Sequence, residues 1–204
     1  MKLSNEFDKY TICLEIPSYM DFELMDTVQG ALKQAEHPER VHFAICYQDD
    51  NMDMLARLKT IPNCRIKSMR PEDARGTGYA RNQCQQLLDD TDDFFLQIDA
   101  HMRFVKNWDT ILLMQWHSLN DEKAIISSWI PDYNDVTVAV DDTKFDKPPI
   151  LNGFMCIREF LQNGSCVGTS YYCIGIDDGQ VSEEQSMVAR KHPLIVANYV
   201  FASA

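Results

Sequence analysis

What most constrains this chain is an alternation that runs through its first two thirds. Short apolar stretches of strand length are each followed by a stretch with helical spacing. "TICLEI" (11–16), "VHFAICY" (41–47), "CRIKSM" (64–69), "DFFLQI" (93–98) and "KAIISSWI" (123–130) read as strands. Between the first two, residues 21–36 carry Leu24, Val28, Ala31, Leu32 and Ala35 at helical spacing. A short helix follows the second strand, with Asp53 as its N-cap before "MLARLKT". Residues 78–90 form the next helix, with Ala80, Cys84, Leu87 and Leu88 inward, and 107–119 form another. Alternation of this kind predicts an α/β, Rossmann-like fold: a mainly parallel central sheet flanked by helices.

After residue 130 the pattern weakens. Prolines and aspartate pairs in "PDYNDVTVAVDDTKFDKPP" predict a long connection or insertion. "LNGFMCIREFL" and "SYYCIGI" read as strands or strand-helix pieces, "SEEQSMVAR" (182–190) as a short helix, and "PLIVANYVFASA" as a closing strand. A length of 204 residues with 45% hydrophobic composition suits one compact domain with a core of useful size.

Charge narrows the chemistry. The formal net charge of -12 makes a phosphate backbone an unfavourable general partner, so no nucleic-acid partner is expected. Any phosphate chemistry needs a local cationic site or a metal. The seven cysteines include no C-x-x-C, and several sit inside apolar runs. They read as reduced core residues of a cytoplasmic protein. No apolar stretch has membrane-spanning length, and the first ten residues lack an apolar signal core.

In a doubly wound sheet, ligands bind beyond the carboxyl ends of the strands. Asp99 sits at such an end, in "FFLQIDAHMRF". If the chain stays extended, Asp99 and His101 point to one side and together bind one divalent cation. The mixed oxygen and nitrogen ligation suits Mn²⁺, and Mg²⁺ less well. The tripeptide is a weak motif alone, and a strand-end aspartate also serves as a helix cap. In "EDARGTGYARNQ", Arg75 and Arg81 bracket Gly76-Thr77-Gly78 at a helix start, where free N–H groups and guanidinium forks favour anions. A solvated turn explains the same residues. Pro17-Ser18-Tyr19 after the first strand and Gln48-Asp49 after the second occupy the edge where a nucleotide rests. Glu183 and Glu184 at the start of a helix are explained by its dipole, or by holding an acceptor hydroxyl.

"LQIDAHMRFVKNWD" resembles the metal motif of the cytosolic GlcNAc-transferases that modify hydroxyproline, and of their bacterial relatives. "EIPSYMDFELMDTVQGALKQAEHPERVHFAICYQ" is similar to the opening of that family, "ARGTGYARNQCQQL" to its arginine-glycine segment, and "SEEQSMVAR" to its glutamate-pair helix. The polypeptide GalNAc-transferases share the layout. The resemblance covers most of residues 10–130, and 182–190 more weakly. It implies a GT-A fold, a UDP-sugar donor, most simply UDP-GlcNAc, with Mn²⁺ (or Mg²⁺), and transfer with retention to a protein or glycan acceptor.

Carried over residue by residue, Asp99 and His101 would hold the metal, and Arg75, Arg81 and Ser18 would contact the nucleotide. Gln48, Gly76 and Gln97 are further candidates for nucleotide contact. Glu183 or Glu184 would face the donor sugar or acceptor. One domain over 1–204 is expected, with a nucleotide-binding part at about 10–130 and an acceptor-side part at about 131–204. Ser182 stands where the family has glycine, and the family pattern is shortened after Arg190. This leaves a nucleotide-sugar-binding module, or a truncated domain without transfer, as the alternative. A metal-dependent phosphoesterase would need a second carboxylate-rich site, and Asp141-Asp142 and Asp177-Asp178 read as turns.

Overall fold

The computed structural model describes residues 9–127 and 199–204, together with the backbone of two strands at 153–160 and 166–172. The chain divides into two compact units, Met1–Ile125 with Phe201–Ala204, and Ile126–Val200. The predicted α/β class is the observed one. A six-stranded sheet has the order β3-β2-β1-β4-β8-β5, formed by Ile12–Tyr19 (β1), Val41–Gln48 (β2), Cys64–Met69 (β3), Phe94–Ile98 (β4), Ile126–Ser127 (β5) and Tyr199–Ser203 (β8). Strands β1, β2, β3 and β4 pair in parallel. Among the described residues four α-helices, Leu24–Gln34 (α1), Met52–Leu58 (α2), Thr77–Gln85 (α3) and Trp108–Ser118 (α4), are interspersed among the strands. Gly153–Phe160 (β6) and Cys166–Tyr172 (β7) form a separate antiparallel pair, with an irregularity between Ile157 and Glu159.

The central strands β1 and β2 form where the sequence is apolar on both faces, as expected of a covered parallel sheet, whereas β3 is part-exposed. Seven of the eight residues of β2 are buried. Helix α1 buries Leu24, Met25, Thr27, Val28 and Ala31, and so presents one apolar stripe. Helix α3 sends Ala80 and Cys84 against Cys13, Ala44 and Cys46, with Leu87 and Leu88 packed at the margin. The Phe94 ring stacks on Phe201 with centroids 5.1 Å apart and meets Trp116 edge-on at 4.9 Å.

Several boundaries differ from the sequence reading. Helix α1 begins at Leu24 rather than residue 21, because Asp21 folds back: its Oδ1 accepts the Glu23 N–H at 2.9 Å. Helix α2 is capped by Asn51, not Asp53; Asn51 Oδ1 accepts the Met54 N–H at 3.0 Å, and Asp53 lies in the first turn. Strand β1 runs on to Tyr19, so Pro17, Ser18 and Tyr19 are strand residues paired with Cys46, Tyr47 and Gln48. Within the expected 123–130 strand only Ile126–Ser127 is a described strand. The predicted helix at 182–190, the connection before residue 150 and both aspartate pairs lie outside the described residues.

The tryptophan-aspartate pair has a structural explanation. Trp108 Nε1 donates to the Ala31 carbonyl at 2.9 Å, and both Asp109 oxygens accept backbone N–H groups, from Glu36 at 2.8 Å and His37 at 2.9 Å. These contacts tie the start of α4 to the end of α1. The four cysteines with described side chains are free, as expected. Burial pushes the Cys13, Cys46 and Cys84 thiols up, and Cys64 up to about 12.

Glu15 is a buried carboxyl at the centre of the sheet, opposite Ala44 on β2 and Gln97 on β4. Burial, and secondarily the charge of Asp92, pushes it up to about 7. The unfolded chain ionises this group near 4.5. Glu15 therefore adds stability that is complete below pH 4.5 and lost as the pH rises to 7. The loss amounts to roughly 3 kcal/mol. Urea unfolding of the wild type and Glu15→Gln across that window should show the difference in their stabilities changing by about this amount. A constant difference would contradict the burial argument.

Candidate functional site

The strand order sets where a ligand can sit. From β1 the crossovers step outward to β2 and then β3; the next one returns past β1 to β4. That reversal lies between β1 and β4, and the crevice beyond their carboxyl ends is the favoured ligand position in such a sheet. An open cleft of about 470 Å³ lies there, lined by Pro17 and Tyr19 of β1, Gln48 of β2, Gly76 and Thr77 at the start of α3, and Asp99 and His101 after β4.

Asp99 follows the last residue of β4 and is part-exposed. Its Oδ1 accepts a 3.3 Å hydrogen bond from Arg81 Nη2, one turn into α3. His101 lies beyond a bend rather than on an extended strand, yet it lines the same cleft. Its Nδ1 is 2.9 Å from Asp21 Oδ2. That hydrogen bond holds the imidazole above its ordinary value; partial burial opposes the shift, and the charges of Asp21, Asp99 and Glu23 support it.

The loop carrying these residues is fixed by α1. The Thr27 hydroxyl donates to the Ala100 carbonyl at 2.6 Å and accepts the Met102 N–H at 2.9 Å. Arg103 Nη2 is 2.7 Å from Glu23 Oε2. Thr27 is fully buried, so these bonds are shielded from water.

The remaining candidates divide. Gly76 lines the cleft and caps α3 at φ +87°, a backbone conformation that suits glycine. Gly76 has no side chain with which to cap α3, so among the described residues the first-turn N–H groups have no N-cap partner and can face an anion. Gln48 lines the cleft, donates from Nε2 to the Ser18 carbonyl at 3.3 Å, and has a buried Oε1 with no partner among the described residues. Ser18 is buried between two cleft residues, does not line the cleft itself, and has a hydroxyl with no partner among the described residues. Arg75 is exposed, lies 5.3 Å from the Tyr79 ring centroid, and does not line the cleft. Gln97 is one pleat below Asp99, opposite Glu15. Glu183 and Glu184 lie outside the described residues.

Among the described residues no three His, Cys, Asp or Glu side chains converge on one point. Asp99 and His101, a carboxylate and an imidazole, line the same cleft and are the donor pair to test. The pair fits a cation whose shell is completed by phosphate oxygens, the usual arrangement in nucleotide sites. The sequence reading missed Asp21. Its only sequence signal was its place two residues after Tyr19, at the exit of β1.

A family model described as glycosyltransferase (GlcNAc) matches residues 54–204, more than half of the chain. The chain belongs to this glycosyltransferase family. The match takes in Arg75, Gly76, Arg81, Gln97, Asp99 and His101, and starts after Ser18, Asp21 and Gln48. No curated protein matches the glycosyltransferase. Among solved structures it is similar to a mannosyltransferase, PcManGT from Pyrobaculum calidifontis in complex with GDP-Man and Mn²⁺, at 15% identity and a TM-score of 0.46 over 61% of this chain. It is also similar to a 4-diphosphocytidyl-2C-methyl-D-erythritol synthase from Anaerococcus prevotii, at 14% identity and a TM-score of 0.43 over 64% of this chain. The glycosyltransferase spans 37% of the length of the first and 63% of the second. Among its described residues no helix is long and apolar enough to cross a membrane.

Proposed function

We propose that this glycosyltransferase moves GlcNAc from UDP-GlcNAc to a hydroxyl of a protein or glycan acceptor, with retention, using a divalent cation, Mn²⁺ before Mg²⁺. The observation that carries this reading is the meeting of Asp99, His101 and the uncapped start of α3 in one cleft at the sheet's reversal point. Asp99 and His101 would hold the cation. Bound there, it would supply Lewis-acid neutralisation of the departing diphosphate.

Arg81 and the N–H groups at the start of α3 would take the phosphates, and Gln48 the nucleoside end. In this acidic chain, Arg81 puts positive charge where a leaving diphosphate needs it, and preorganised charge of this sort carries most of the rate. Its bond to Asp99 is long for a charge-assisted pair, so exchanging carboxylate for phosphate costs little. Arg75 would reach the phosphates only after leaving Tyr79. Ser18 would act through its carbonyl, which holds Gln48. Gln97 would support Asp99 from below. For retention, the acceptor hydroxyl would enter beside the leaving group, oriented by Glu183 or Glu184. Residues of about 10–130 would form the donor part and 131–204 the acceptor side. The four free cysteines support a reducing compartment, and the cytoplasm is the proposed location.

The test is UDP release from UDP-GlcNAc by the purified chain with Mn²⁺. Release well above the uncatalysed background supports the transferase. Saturable donor binding with no release, whatever acceptor is added, would turn the reading to a nucleotide-sugar-binding module.

A further inference from the structure

Asp21 is part-buried at the start of the loop leading to α1, eighty positions from His101 in sequence. Both of its oxygens are used: Oδ1 accepts the Glu23 N–H, and Oδ2 meets His101 Nδ1. An ionised carboxylate can only accept hydrogen bonds. A neutral imidazole at this distance must therefore carry its proton on Nδ1, which leaves the lone pair on Nε2. The geometry points to Asp21 as a positioning residue that selects this tautomer of His101 and so makes Nε2 the cation-binding nitrogen. The inference rests on the cation reading above. The turn that fixes Asp21 and the Thr27 and Glu23 contacts that fix the His101 loop make the pair rigid from both sides. Carboxylates placed behind a ligating imidazole act in this way elsewhere, and losing one weakens metal binding by about ten- to a hundredfold.

Asp21→Asn is a near-isosteric test. Its oxygen can keep the Glu23 N–H, and its amide then donates to Nδ1 and moves the imidazole proton to Nε2. Nitrogen NMR of the histidine ring in mildly alkaline, metal-free buffer reads the tautomer, and Mn²⁺ titration followed by electron paramagnetic resonance, with UDP present, reads affinity. The expected result is an Nδ1–H wild type, an Nε2–H variant, and Mn²⁺ affinity about ten- to a hundredfold lower in the variant at an unchanged melting temperature. Asp21→Glu, which keeps the acceptor, should recover part of the affinity. An Nε2–H wild type, or equal Mn²⁺ affinity in wild type and Asp21→Asn, overturns this inference alone. A wild type that binds no Mn²⁺ overturns the cation reading and this inference with it.

Discussion

Asp99→Asn should reduce UDP release by at least about a thousandfold while leaving the fold intact. The two halves of that expectation have separate physical sources. The catalytic loss follows because, in the proposed function, Asp99 would supply the anionic half of the cation site, and an amide of the same shape would carry no charge to hold a divalent ion. His101 alone cannot compensate, since no three candidate ligands converge among the described residues. The structural tolerance follows from exposure. Asp99 and Arg81 are 31% and 21% exposed, and their bond is 3.3 Å long. A pair of this type contributes at most about 1 kcal/mol to stability. Turnover and melting temperature should therefore separate. Near-normal turnover in Asp99→Asn would remove the residue from the site. A large fall in melting temperature would assign it a structural role.

Asp92→Asn should do the reverse, destabilising the fold by about 3 kcal/mol. The Asp92 side chain is fully buried at the start of β4, far along the strand from the cleft. It accepts from Arg65 Nη2 at 2.7 and 2.8 Å and from the Asp89 N–H at 3.0 Å, and it meets His42 Nδ1 at 2.7 Å. Arg65 also pairs with Asp89. These bonds join β2, β3 and the turn before β4 at one end of the sheet. An asparagine there cannot accept from all of its neighbours, and Arg65 would lose its buried partner. Adding Arg65→Met should recover part of the loss, because it removes a part-buried guanidinium left with only the half-exposed Asp89 as partner. Equilibrium unfolding in urea measures both. A loss below about 1 kcal/mol in the single variant would contradict this account of the network.

The contrast between Asp99 and Asp92 also shows what was legible in the sequence. The strands and helices of the first unit were readable because apolar runs of two distinct periods alternate, and the parallel sheet follows from that order. The place of Asp99 and His101 beyond the carboxyl end of β4 was readable because a strand end in such a sheet has a known direction; the bend at His101 was not. Asp92 was not, since its partners lie 27 and 50 positions away and no local pattern links them. Asp21 was hidden for the same reason: local spacing marks it as the start of a helix, and only the folded chain brings His101 to it. Asn51 and Asp53 are both good caps, and the choice between them depends on where β2 releases the chain. Ser18 follows the apolar run of the first strand in sequence, and only its pairing with Tyr47 on β2 shows that the strand continues through it.

Calorimetric titration of the wild-type chain with UDP-GlcNAc, with and without Mn²⁺, tests the central claim most directly, because on the proposed reading the cleft would supply only part of a cation's shell and the donor's phosphates the rest. The account predicts saturable binding in the presence of Mn²⁺ that disappears when the ion is chelated. Equal affinity with and without Mn²⁺ would contradict it.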